Sequence, residues 1–469
     1  MIRSILPRTP ANEQPALHSS RGRIVFLNRS YWPDIEATGQ LLTDLCEDLA
    51  GKFDIHVVCG QPNSPEKNAS FLAEGIEQRN GVTIHRLQHR QLRKGSTFGR
   101  ILNLVSFFRA ARKYLRAADL PADIVVSETD PFLLPIAGAE FAKRVGAAHC
   151  VYLQDVYPDV AQAIGKVKVP FVASQLRRKL ASVYRDASNV VVLGRCMRRR
   201  LVGKQWNLER DRIQIIPNWS DCSSIAPVAA ELNSFRKRFE LQDRFVVMHS
   251  GNMGLTQRLE VLISAAARPE WPRRAKLVLV GNGAARDQLL EHAAGLGLSK
   301  DRLEFIHYQP RHQLAESLSA ADLHVVSMHE HITGCLCPSK LYGIMAAARP
   351  VLAVADAGTD LCQTIKEREI GWCVPPGAPM LIARAVANAE RESREHPSEA
   401  IRRQNLARQA ALERYDQPVI AKRFTELFSR LLPERIDSAE SLSPFGSPDV
   451  IPAEIVSQDT SDSGIALLP

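Results

Sequence analysis

Five short segments of the chain combine glycine, cationic and acidic residues in patterns suited to phosphate and sugar chemistry. His249-Ser-Gly-Asn-Met-Gly254 follows an apolar run and precedes a helical pattern. Gly251 and Gly254 flank Asn252 and let backbone N–H groups approach a ligand, and the helix that follows favours an anion at its start. Gly281-Asn-Gly283 repeats the arrangement after the next apolar run. Arg258 can reach a phosphate as a charge-assisted donor; its other reading is a solvated helix face. Asn28 to Gly39 carries one glycine, Gly39, and reads equally as an ordinary turn with Thr38 as N-cap. Pro338 fits the first turn of a helix. That leaves the N–H groups of Ser339 and Lys340 free, with Lys340 adding a point charge; a capped helix with a surface lysine fits the same residues. Tyr152-Leu-Gln-Asp-Val-Tyr-Pro-Asp159 puts Asp155 where it can orient a substrate hydroxyl or take its proton. Asp159 reads as a cap of the next helix. The Gly-x-Gly-x-x-Gly dinucleotide spacing and a Walker A loop are both absent.

Between His89 and Arg116 the bases Arg90, Arg93, Lys94, Arg100, Arg109, Arg112 and Lys113 alternate with Phe98, Leu102, Phe107 and Phe108. A basic amphipathic helix of this kind can lie on an anionic membrane. A packed helix with a solvated basic face is the other reading. Arg177-Arg-Lys179 and Arg198-Arg-Arg200 extend the charge and favour a membrane-facing side, with Arg90, Arg93, Arg109 and Arg112 as its expected contacts.

Short apolar runs alternating with helical patterns must position these segments. Ile24–Leu27, Ile55–Cys59, Val82–Leu87, Ile124–Ser127, Cys150–Leu153 and Val190–Leu193 read as strands of one parallel sheet. The alternation pauses after Ile213. It resumes with Phe245–Ser250, Lys276–Val280, Leu303–Ile306, Leu323–Ser327, Pro350–Val354 and Gly371–Val374. Two doubly wound α/β units leave ligand sites at the carboxyl ends of their strands. The 469 residues are 45% apolar and 24% charged, which excludes global disorder and a disulfide-stapled miniprotein. Net charge is +9; seven acids and one base from Glu434 onward leave +15 on residues 1–433. Such a body expects phosphates or anionic lipid. These account for the charge, so no nucleic-acid partner is expected. No apolar run reaches the ~20 residues that cross a bilayer, and the first 21 residues show no secretory pattern. Nine scattered cysteines read as reduced thiols, and no metal site is expected.

In order along the chain, Tyr31-Trp-Pro-Asp…Thr-Gly39, Gln154-Asp-Val-Tyr-Pro-Asp159, Ile216-Pro-Asn-Trp219, Ser250-Gly-Asn-Met-Gly254, Val280-Gly-Asn-Gly283 and Pro338-Ser-Lys-Leu-Tyr-Gly343 resemble glycosyltransferase family 4. The resemblance is to its subgroup acting in bacterial exopolysaccharide and O-antigen assembly. It implies the GT-B fold, two Rossmann-like domains facing each other across a cleft. The expected division is a flexible leader over 1–21, an acceptor domain over 22–216, a linker over 217–244 and a nucleotide-sugar domain over 245–416. A helix over 417–433 is expected to pack back on the first domain, and an acidic tail over 434–469 to be disordered.

The resemblance further implies a retaining transferase. It would use a nucleotide-diphosphate sugar as substrate, need no cofactor or metal, and act on a lipid-linked or glycan acceptor at the inner face of the cytoplasmic membrane. Gly39, Gly251, Asn252, Gly254, Arg258, Gly281, Gly283, Ser339 and Lys340 would then serve the donor, with Asp155 and Gln154 as catalytic residues. The chain departs from the family at several points. Cys335 and Gly343 stand in place of a Glu-x7-Glu pair, and Gln257 in place of a phosphate lysine. Gln154 replaces a histidine, and Ala348-Arg349 a Gly-x. A non-catalytic scaffold of the same fold and a nucleotide-sugar 2-epimerase are the alternatives.

Overall fold

The computed structural model describes residues 21–34, 36–62, 72–92, 97–166 and 169–432. The leader and the acidic tail lie outside the described residues, as do Arg93 and Lys94.

The first sheet contains β1 (Arg23–Leu27), β2 (Asp54–Cys59), β3 (Gly75–Arg79), β4 (Val82–Arg86), β5 (Ile124–Ser127), β6 (Ala148–Leu153), β7 (Asn189–Val192) and β8 (Ile213–Ile215). Their order is β3-β4-β2-β1-β5-β6-β7-β8. All neighbours are parallel except β3 and β4, which form a hairpin. The second sheet contains β9 (Phe245–Ser250), β10 (Ala275–Val280), β11 (Leu303–Ile306), β12 (Leu323–Ser327), β13 (Val351–Val354) and β14 (Gly371–Val374). It is wholly parallel, in the order β11-β10-β9-β12-β13-β14. Helices cover both faces of these strands, so they are apolar on both sides, as in Ile24-Val-Phe-Leu27, all within 1% exposure. In each sheet the order reverses beside the first strand, between β1 and β5 and between β9 and β12. The loops leaving those strands flank a crevice, the usual ligand position of an open α/β sheet.

The two carboxyl edges face one another. Asp155, after β6, forms an antiparallel backbone bridge with Leu336, after β12. Val156 N–H donates to Cys335 O at 2.7 Å. Arg195, after β7, donates to Asp360, after β13, at 2.8 Å. Elsewhere, Arg311 of the second domain pairs with Asp44 of the first at 2.6 Å. The helix Gln417–Leu431 returns to the first domain. Phe424 meets Tyr152 edge-on at 5.2 Å, and Phe428 meets Phe26 at 5.9 Å.

Two strands, β3 and β8, go beyond the sequence reading. The stretch 217–244, read as a linker, ends inside the second domain: Phe235 and Leu241 are buried with Val246 and Val278. Arg236, 4% exposed, pairs with Asp322 at 3.2 Å and donates to three backbone carbonyls within 2.8 Å.

Candidate active site

The second domain supplies the glycine loops. Gly251 has φ +127° and Gly281 φ +136°, values that side chains rarely allow. A Cβ at Gly281 would lie 2.0 Å from Gly251 O, and one at Gly283 2.3 Å from Met253 O. The two loops therefore nest, with Met253 N–H donating to Asn282 O at 2.9 Å and Ala285 N–H to Met253 O at 3.0 Å. Asn252 fills the space between Gly254 and Gly283. The N–H of Gly254 is occupied by Gln257 Oε1 at 2.8 Å.

Gly251 has a different neighbour. A Cβ there would lie 3.3 Å from Nζ of Lys340. Lys340 opens the helix Lys340–Ala346, and Ser339 holds the N-cap position without a side-chain capping bond. The ammonium donates to Nε2 of His249 at 3.2 Å. Burial pushes the Lys340 ammonium down to about 8. Burial also holds His249, 0% exposed at the end of β9, well below the ordinary imidazole range, so its ring is a neutral acceptor. Sequence reasoning missed His249 as a partner; its signal was a polar residue closing an otherwise apolar strand.

Arg258 stands nearby in the left-handed region, φ +49°. Its guanidinium is held by Glu260 at 2.5 Å and by both oxygens of Glu330 at 2.8 and 3.0 Å. It is therefore neither a solvated helix face nor an uncompensated phosphate clamp.

In the first domain, polar side chains at the carboxyl edge form a chain of hydrogen bonds. Tyr152 OH donates to Asn218 Oδ1 at 3.2 Å, Asn218 Nδ2 to Gln154 Oε1 at 3.2 Å, and Gln154 Nε2 to Glu128 Oε1 at 3.4 Å. Glu128 directly follows β5 at the crevice. It is 1% exposed, its Oε2 has no hydrogen-bond partner among the described residues, and burial pushes its carboxyl up to about 8. Sequence reasoning missed Glu128 too; the signal was an acid directly after a buried strand.

Asp155 lies beside this chain, its N–H directed at Thr129 Oγ1 at 3.4 Å. Burial, then Asp130, raises its carboxyl to about 6. At neutral pH Asp155 is a carboxylate able to accept a proton. Asp159 instead anchors the fold: it is 4% exposed and takes Arg177 at 2.7 Å and Arg200 at 2.9 Å. Gly39 is buried inside the helix Ala37–Leu49, where a Cβ would lie 3.2 Å from both Ser30 and Asp34. It admits the β1 loop rather than starting the helix. Thr38 is not the N-cap; Glu36 holds that position.

Of the positions of the replaced glutamates, Cys335 is buried and Gly343 partly exposed. Cys335 is 0% exposed, and a Cβ at Gly343 would lie 3.3 Å from Leu318. Of the residues read as membrane-facing, Arg90 and Arg109 are exposed. Arg112 is clamped by Glu140 at 2.6 and 2.7 Å. The helix that carries Arg109 and Arg112, Thr97–Ala117, buries Phe107, Ala111 and Leu115 in the first domain.

Comparison with known proteins agrees with this architecture. The family described as "Glycosyl transferase 4-like domain" matches residues 38–219, and "Glycosyl transferases group 1" matches 231–410. The chain is 32% identical over 268 residues to the probable glycosyltransferase WbjE of Pseudomonas aeruginosa, covering 56% of this chain and 65% of that protein, just under two thirds. It is 25% identical to the putative colanic acid biosynthesis glycosyl transferase WcaI of Escherichia coli, over 82% of this chain and 98% of that one. HepE of Anabaena, solved in complex with UDP and glucose, shares the fold with a TM-score of 0.63 at 15% identity, over 87% of this chain and 100% of that one. With two matched domains, two opposed parallel sheets and the nested glycine loops between them, the chain belongs to the family 4 glycosyltransferases of GT-B fold.

Proposed function

We propose that the protein is a retaining glycosyltransferase that moves a sugar from a nucleoside-diphosphate sugar to a lipid-linked glycan. The setting we propose is exopolysaccharide or lipopolysaccharide assembly at the inner face of the cytoplasmic membrane. The names of the Pseudomonas and Escherichia relatives support the setting, and the UDP and glucose held by the Anabaena protein support the donor class. The observation that carries the reading is the Lys340 ammonium lying against Gly251, the one glycine of the nested loops that adjoins a cation. A diphosphate there would meet a cation in a water-poor site, where fixed charge stabilises a leaving anion best. It would also draw the Lys340 proton equilibrium upward, toward the charged form.

On the opposite edge, Asp155 and Gln154 are the proposed partners of the reacting sugar and the acceptor hydroxyl. Gln154 is oriented by Asn218 and Glu128. Arg258 contributes to the donor phosphates only by exchanging Glu330 for phosphate. In this proposal no cofactor or metal takes part, and Lys340 carries the countercharge. Melting the protein with UDP, GDP, ADP and CDP, each with and without magnesium, tests it. A ligand at about 100 Kd stabilises by about 2.7 kcal/mol. The expected result is a rise with one diphosphate, independent of magnesium and lost in Lys340→Ala.

The scaffold reading is favoured by one observation, the full burial of Cys335. Turnover of any donor excludes it.

A further inference from the structure

We propose that the surface built by residues 169–207 docks this protein on an anionic lipid bilayer. The proposal rests on the membrane-held acceptor of the function proposed above, and it moves the docking face away from Arg90, Arg109 and Arg112. Residues 169–207 contain nine Lys and Arg and one Asp, a net +8, of which Arg195 is compensated by Asp360 and Glu367. Asp159, 4% exposed at the edge of this surface, pairs with Arg177 and Arg200 and compensates part of their charge.

The helix Pro170–Asp186 carries the two features that a bilayer surface recognises. Its first turn exposes Phe171 and Val172, 69% and 56% accessible, beside Val169 at 55%. Its other side buries Ala173, Leu180 and Tyr184 in the domain. Phe171, Ser174, Arg178, Ala181 and Arg185 recur every three or four residues and so form one stripe along the helix. Its part from Ser174 to Arg185 walls a cavity of about 350 Å³ closed by Lys204 and Trp206. A second cavity of about 490 Å³ shares Arg177 and Gln205 with the first and reaches Arg200 and His331. Apolar side chains at the tip and a cationic groove behind them match the acyl boundary and the phosphate layer of an anionic bilayer. A soluble phosphate would need the groove but not the exposed Phe171 and Val172. The helix Thr97–Ala117 offers less: Phe107 and Leu115 are in the core, Ile101 is its one exposed large apolar side chain among the described residues, and Arg112 is neutralised by Glu140.

The test is co-sedimentation of the full chain with phosphatidylglycerol vesicles and with phosphatidylcholine vesicles. Wild type is expected to bind the first and not the second, less so as salt rises. Each basic side chain near an anionic surface is worth about fivefold in partitioning, so R178E, K179E and R185E together should lower binding at least about 100-fold. Phe171→Asp with Val172→Asp should also release the protein, whereas Arg90→Glu with Arg109→Glu should change binding little. Thermal melting confirms that each variant is folded. No binding of wild type to phosphatidylglycerol, or loss only in the Arg90 and Arg109 variant, overturns the proposal. Stabilisation by glycerol phosphate without vesicle binding also overturns it and marks a site for free phosphates. The readout does not use the donor, so failed turnover with intact vesicle binding counts against the proposed function and not against this surface.

Discussion

The Lys340 ammonium and the buried imidazole of His249 meet at 3.2 Å, beside Gly251, where a Cβ would lie 3.3 Å from the ammonium. This contact joins the helix after β12 to the end of β9. It places an ammonium with no carboxylate partner among the described residues where two chain segments converge.

Lys340→Ala should lower kcat/KM by about 10²-fold, the usual loss for a single electrostatic donor in a water-poor site. Gly251→Ala should approach the same loss by a different route, because its Cβ would lie 3.3 Å from Nζ on a backbone with φ +127°. Steady-state kinetics of both variants, with melting curves to confirm folding, check this.

Arg258→Ala should cost less than Lys340→Ala, under about 10-fold, because Glu260 and Glu330 already compensate its charge. Glu330→Gln should increase the contribution of Arg258 by freeing it. A double-mutant cycle on donor affinity measures that coupling.

Activity should have two pH limits. Asp155 must be ionised to accept a proton, so kcat/KM should fall as pH drops through about 6. Lys340 must be charged, so kcat/KM should fall as pH rises through about 8. These are the limits of the free enzyme. Asp155→Asn should remove the acid limb along with most of the rate, and Lys340→Ala should flatten the alkaline limb.

Glu128 makes stability depend on pH in a defined direction. Its folded carboxyl titrates near 8, above the ordinary carboxylate value, so the native state holds a proton that the unfolded state has already lost. Stability should therefore fall as pH rises from about 4.5 toward 8. Glu128→Gln keeps a neutral group in place. It should leave melting at pH 5 nearly unchanged and raise stability at pH 8 by an amount on the order of a few kcal/mol. Melting curves of both proteins across this range provide the check.

Ala348 adopts φ +54° where the resembled family has glycine. A left-handed alanine costs about 1 kcal/mol. Ala348→Gly should recover about that amount, less the entropy that glycine adds to the unfolded chain. Urea unfolding at one pH measures it.

Much of this architecture was legible because parallel strands buried on both faces leave long apolar runs, as in Val246-Val-Met-His249 and Leu277-Val-Leu-Val280. β3 was missed because Gly75-Ile-Glu-Gln-Arg79 is polar and lies at an edge. Its signal was the Asn80-Gly81 turn, with φ +47° and +82°. The nested glycines were visible from spacing, but the reasons for them were not. Gly281 and Gly283 make room for another loop's backbone, and only Gly251 adjoins a cation. Lys340 was visible as a charge and His249 was not visible as its partner, because 91 residues separate them. Glu128 was missed because burial, not residue type, gives it its chemistry. Arg258 was read from its position on a helix, whereas Glu330, which holds it, comes from a distant loop.

The measurement closest to the central claim is release of nucleoside diphosphate from a panel of UDP-, GDP-, ADP- and CDP-sugars, with and without a membrane lipid extract as acceptor. Wild type is compared with Lys340→Ala. Acceptor-dependent release from one donor class is expected, with the sugar recovered on lipid in its original anomeric configuration and the release lost in the variant. No release from any donor, together with no diphosphate-dependent rise in melting temperature, would contradict it and leave a GT-B scaffold in its place.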